Sequence, residues 1–178
     1  LLACLPSMLL YWHRFHTGGT RIASETDDDT VAGHFLHLLH GQPPPAFHEQ
    51  CLSTTLILYA EHEFNASTFA GRVITGTLSD MHSAVSGAIG ALRGPLHGGA
   101  NEAAMELIQK FSSPEEATAG VLGMLERKDL IMGFGHRVYT TSDPRNSVNK
   151  AMSKKLAEEQ GNMTLYEVSE AVEKVMWD

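Results

Sequence analysis

The sequence predicts an all-α fold, and three observations carry that expectation. Apolar residues recur at three- and four-residue spacing through most of the chain. Helix start and stop residues punctuate it at short intervals. One apolar stretch alone, "LIMGFGHRVY" from Leu130 to Tyr139, carries glycines that argue against a helix, and it reads as a short strand or a structured loop.

The elements follow in chain order. Leu1 to about His16 has helical apolar spacing, and "HTGGT" supplies the glycine expected just past a helix C-terminus. "SETDDDT", residues 24–30, offers N-cap candidates and a negative first turn beside the positive end of the helix dipole. The helix it opens runs from about Asp28 to His40 and is closed by "GQPPP". Ala46 to Ala60 is again helical, and Ser79 or Asp80 caps a stretch ending at Arg93. Within that stretch Ala84, Gly87, Ala88, Gly90 and Ala91 would admit another helix at close range, including one from a second subunit. A helix of about Gly99 to Phe111 follows. "SSPEEA" at 112–117 is a clear helix start, with Ser113 as cap, Pro114 at the first position and two glutamates in the first turn. "TLYE" at 164–167 reads as a capping box for a last helix to about Trp177.

Composition narrows the function classes. The chain has 178 residues, 43% hydrophobic and 19% charged, which is ordinary for a folded domain. A formal charge of −8 argues against nucleic acid, whose phosphates need a basic footprint, so an anionic small molecule would need a local arginine cluster. The apolar run near Leu1 to Trp12 is too short to span a bilayer and lacks the pattern of a signal peptide, so the expected compartment is the cytoplasm. Cys4 and Cys51 read as two buried free thiols. With no initiator Met and helical patterns running up to both ends, the chain is expected to be an internal fragment of a longer protein.

Four stretches could carry chemistry. In "RGPLHGGANE", residues 93–102, Pro95 stops one helix, Gly98 and Gly99 permit unusual backbone angles, and His97 stands just before the next helix. The dipole there disfavours an imidazolium, and a neutral ring can donate to an oxygen gaining charge during enolisation, or simply cap the helix. "GFGHRVYTTSDPR", Gly133 to Arg145, repeats the design with His136, Arg137 and Arg145, arginine being the natural bidentate partner of a carboxylate, although Asp143-Pro144 is an ordinary turn signal. "EHEFNAST" sets His62 between two glutamates on a helical stretch that breaks towards Asn65, as a base, a metal ligand or a surface residue. His34, His37 and His40 recur three residues apart, so a helical metal-binding module is a non-enzymatic alternative, though no Cys or carboxylate completes the set and apolar residues interleave.

Taken in order, "EHEFNAST", "GPLHGGANE" and "GFGHRVYTTSDPR" resemble the citrate synthase family over nearly the whole chain. "LLYWHRF", "ETDDDTVAGHFLHLLHG" and "LYAEHEFNASTF" look most like the bacterial 2-methylcitrate synthases within it. The resemblance implies an all-α, two-domain fold in a homodimer, with residues 1–97 in the large domain and 98–178 in the small one. It implies that His97 stabilises the enol of an acyl-CoA, that His136 polarises the oxaloacetate carbonyl, and that His62 and Arg145 hold oxaloacetate carboxylates. Leu130, Ile131, Gly133 and Phe134 match the stretch that cradles the adenine end of CoA. No metal and no resident cofactor are implied, the CoA thioester (propionyl-CoA or, alternatively, acetyl-CoA) being a substrate. The family's carbon-acid base is an Asp in a downstream Asn-x-Asp motif that this chain lacks, and Asp178 does not replace it. Further substrate arginines lie beyond the chain too, one from the partner subunit, so the segment alone is expected to be inactive.

Overall fold

A computed structural model describes residues 1–135, 139 and 141–177, which are helical or irregular without a strand. They form two compact units, Leu1–Glu61 and His62–Asp178. The all-α expectation holds, and the glycine-broken stretch, so far as it is described, is turn and loop.

In the first unit a single 3-10 turn, Leu2–Cys4, leads into α1, Leu5–Gly18. The α-helix starts there because Pro6 has no N–H to donate and fits only a first turn. Gly19 ends it at φ 65°, with its N–H on Phe15 O at 2.8 Å. Helix α2 is Val31–His40 and α3 is Ala46–Tyr59. Helix α2 begins three residues later than the acidic run suggests, because Thr30 is the cap, its Oγ1 accepting from Gly33 N at 2.9 Å. Asp28 is used otherwise: its Oδ2 meets His37 Nδ1 at 2.8 Å. His34 is held by Ser7 Oγ on one ring nitrogen (2.9 Å) and Thr26 Oγ1 on the other (2.8 Å), while Ser7 Oγ also reaches Ser24 O. These bonds tie the loop before α2 to both helices. Helix α2 packs on α1 and α3 and buries Ala32 and Leu38; α1 buries Leu10 and α3 buries Cys51. Cys4, expected inside, is exposed, because the 3-10 turn that carries it has no buried residue.

In the second unit α4, Ala66–Gly76, packs along α5, Met81–Leu92. Asp80 caps α5 by accepting from Ser83 N at 3.0 Å. The small residues of α5 receive α4 of the same chain: a Cβ on Gly87 would collide with Ile74, and one on Gly71 would lie 3.5 Å from the Ala88 Cβ. Helices α6 (Gly99–Ile108), α7 (Pro114–Glu126) and α9 (Thr164–Trp177) enclose a core of Leu107, Ala117, Val121, Ile131, Val168 and Val172. Helix α7 begins as expected, Ser113 Oγ accepting from Glu116 N at 3.2 Å while Glu116 reaches back to Ser112 N at 2.8 Å. Thr164 is the first residue of α9 rather than its cap, and Asn162 Oδ1 accepts from Thr164 N at 3.1 Å. Helix α8, Pro144–Glu159, has no fully buried residue and sits on α9 through polar bonds. Lys150 Nζ lies 2.7 Å from Glu173 and 3.2 Å from Glu170, and Asn146 donates to Glu173 at 2.8 Å.

The Thr26 hydrogen bond, more than the His37 bond, holds the Asp28 carboxyl below the usual carboxylate range against the opposing effect of burial. A depressed folded-state value makes this contribution fully present above about pH 4 and lost as the pH falls through the lower value. Acid thermal melts should therefore differ: Asp28→Asn loses less Tm between about pH 5 and pH 3 than the parent does, and equal losses would show that the carboxylate adds nothing.

Candidate active site

His97 owes its place to close backbone packing. After α5 ends at Leu92, Gly94 O accepts from His97 N (2.9 Å) and from Gly99 N (3.2 Å), folding residues 93–99 into a tight turn that opens α6. Gly98 has an ordinary helical backbone, φ −62° and ψ −28°, and Gly99 is not among the positive-φ residues. The glycine pair is therefore needed for proximity rather than for unusual angles. A Cβ on Gly98 would lie 2.7 Å from Leu92 O, and one on Gly99 2.7 Å from Arg93 O.

The half-buried imidazole turns Nε2 to Ser67 on α4, 2.9 Å from its Oγ and 3.4 Å from its backbone N. Ser67 Oγ also donates to Asn65 Oδ1 at 2.7 Å, and that oxygen caps α4 by accepting from Thr68 N at 3.0 Å. One hydroxyl proton serves one neighbour at a time. Given to Asn65, it leaves Oγ to accept from His97 Nε2–H; turned to His97, it puts the neutral ring's proton on Nδ1, where it can be donated to a ligand. Ser67 had no chemical signal in the sequence beyond standing two residues after a good cap.

His62 lies in the loop before α4, not on a helix as its flanking pattern suggests: α3 has already ended at Tyr59, and the next residue, Glu63, turns the chain at φ 51°. A left-handed backbone at a non-glycine residue is uncommon and marks a locally imposed shape. The His62 ring stacks on Tyr139, with centroids 5.9 Å apart and planes 27° from parallel. Arg145 lies over the same tyrosine, its Cζ 5.7 Å from the ring centroid. Asp143-Pro144 is more than a turn: Asp143 Oδ1 caps α8 by accepting from Arg145 N at 2.9 Å, and Pro144 opens the helix. The same carboxylate takes Arg145 Nε (3.0 and 3.1 Å) and Nη2 (2.6 Å), a fork that fixes the guanidinium plane. The structure thus brings His62, Tyr139 and Arg145 together. His136 lies outside the described residues.

Of the stretch expected at a CoA adenine, Ile131 is 5% exposed and belongs to the core, so any ligand contact it makes is through backbone. Leu130 is exposed, Phe134 borders on exposed, and Gly133 has φ 98°, a conformation that favours glycine. The three-histidine alternative gains no support. His34 and His37 turn to separate partners, and among the described residues no three His, Cys, Asp or Glu side chains gather to hold a metal ion.

Residues 1–178 match the family described as "Citrate synthase, C-terminal domain". The chain belongs to the citrate synthase family. It is 60% identical over 178 residues to a 2-methylcitrate synthase of Shewanella oneidensis, covering 100% of this chain and 48% of that protein. It is 41% identical over 176 residues to citrate synthase 2 of Bacillus subtilis, covering 99% of this chain and 47% of that protein. The solved structure of a Thermoplasma acidophilum citrate synthase, in ternary complex with carboxymethyl coenzyme A and oxaloacetate, superposes with a TM-score of 0.87 at 33% identity, over 97% of this chain and 45% of that one. The chain therefore spans about half the length of the relatives it matches.

The glycine pair is open to direct test. Gly98→Ala should destabilise by about 1–3 kcal/mol, the usual range for overpacking, because the obstacle is a backbone carbonyl that cannot rotate away. Urea unfolding measures it, and an unchanged midpoint would mean the turn has room for a methyl group.

Proposed function

We propose that this segment is part of a 2-methylcitrate synthase, which condenses propionyl-CoA with oxaloacetate and water to give 2-methylcitrate and free CoA. The observation that carries the reading is the site's wiring: an imidazole at the opening of α6 bonded to Ser67, five residues beyond His62, with His62 stacked on Tyr139 beside Arg145. The higher identity to the Shewanella relative than to the Bacillus one supports propionyl-CoA over acetyl-CoA as the preferred thioester.

In this reading a carboxylate base on the remainder of the protein removes a proton from the carbon next to the thioester. His97, with Nε2 accepting from the Ser67 backbone N–H, donates from Nδ1 to the oxygen as the enol forms, where a prearranged donor is most effective. The enol carbon attacks the oxaloacetate ketone, His136 protonating the new alkoxide while His62 and Arg145 hold the carboxylates. Water then hydrolyses the thioester and releases CoA. Residues 1–97 belong to the large domain and 98–178 to the small one of a homodimer that works in the cytoplasm without a resident cofactor. The backbone around Leu130, Ile131, Gly133 and Phe134 borders the adenine end of CoA.

A full-length enzyme carrying this segment should release thiol from propionyl-CoA only when oxaloacetate is present; no release from either acyl-CoA would end the proposal. One methylene is worth about 1–3 kcal/mol in an apolar pocket, so kcat/KM for propionyl-CoA should exceed that for acetyl-CoA, and the opposite ratio would make the enzyme a citrate synthase. His97→Ala should lower kcat by about 10²–10³ and leave oxaloacetate affinity within about twofold. Turnover equal to the parent's would remove His97 from the mechanism.

A further inference from the structure

We infer that Tyr139 is a positioning residue that sets the spacing between His62 and Arg145, and through it the affinity for the keto-diacid. The inference rests on the oxaloacetate reading of the site. His62 lies in the loop before α4 and Arg145 in the first turn of α8, and both meet the Tyr139 ring: His62 by stacking at 5.9 Å and 27°, Arg145 with its guanidinium carbon 5.7 Å from the centroid. A dicarboxylate gripped at both ends binds well only when the two grips are held at its own span. Asp143 fixes the guanidinium plane from one side, and the tyrosine supplies a flat, polarisable surface against which that plane and the imidazole keep their places. Without the ring Arg145 keeps the Asp143 fork but loses its second support, and His62 loses its stacking surface, so substrate binding must restrict freedom the ring had removed. Tyr139 acts through its neighbours and forms no bond with the reacting carbons.

Steady-state kinetics on the full-length enzyme tests this, with Tyr139→Phe keeping the ring, Tyr139→Leu removing it, and Tyr139→Met filling its volume without a π face. Tyr139→Leu and Tyr139→Met should raise KM for oxaloacetate about tenfold or more, with KM for acyl-CoA and Tm near the parent's, and Tyr139→Phe should restore oxaloacetate KM to within about twofold. The inference is overturned if the ringless variants keep the parent's oxaloacetate KM, if both substrates' KM values rise together with a fall in Tm, or if Tyr139→Phe is as impaired as Tyr139→Leu. Should Tyr139→Leu not fold, the Tyr139→Met and Tyr139→Phe pair decides by the same criteria. A parent enzyme that shows no oxaloacetate-dependent thiol release would instead overturn the functional reading itself.

Discussion

The hydrogen-bond chain from Thr68 N through Asn65 Oδ1 and Ser67 Oγ to His97 Nε2 is the constraint on which the site depends. Its inner end is a helix cap, made for local reasons: the first N–H groups of α4 lack partners within the helix, and Asn65 supplies one. Its outer end orients an imidazole that the sequence puts thirty residues away. The cap fixes the rotamer of Ser67 relative to the α4 backbone, and Ser67 then fixes one edge of the His97 ring. Because the serine has a single proton, hydroxyl rotamer and ring tautomer are linked: an Oγ that donates to Asn65 can only accept from the ring.

That chain can close only because the backbones come unusually near one another. Gly98 and Gly99 let the turn before α6 fold over the carbonyls of Leu92, Arg93 and Gly94, which aims His97 back towards α4. Gly87 leaves room on α5 for the Ile74 side chain of α4, and Gly71 faces the small Ala88 across the same contact. The small residues of α5 and the glycine pair are thus parts of one arrangement: the first brings Ser67 to its place, the second brings His97 to Ser67.

Much of the fold was legible because helix ends are written in single residues. Ser113 with Pro114, Asp80, Gly19 and Gly41 each do what their chemistry suggests, accepting an orphan N–H, opening a first turn or taking a positive φ. Thr30 was among the candidates too, but its acidic neighbours obscured the boundary, since Asp28 serves His37 rather than the helix start. What the sequence hid depends on contacts between distant segments. Tyr139 reads as one more apolar residue until His62 and Arg145 are found against it, and Asp143-Pro144 reads as a turn until the guanidinium is seen to use both carboxylate oxygens. The setting of His62 is also hidden, because nothing in "EHEF" announces that α3 has ended at Tyr59 or that Glu63 takes a left-handed backbone.

The two kinds of contact also differ in how much protein they need. Large apolar side chains remain on the surface, among them Leu2 (78% exposed), Ile57 (73%), Leu78 (95%) and Leu96 (88%), and among the described residues the largest fully buried side chains are Val121 and Val168. Surface of that kind is what helices present to further protein, and the relatives are about twice as long as this chain. The Asn65 and Asp143 caps, the contacts of Gly98 and Gly99, the Ser67–His97 bond and the Asp143–Arg145 fork are each complete within the second unit, between groups only a few ångströms apart. Local geometry around His97 and Arg145 is for that reason specified within this segment.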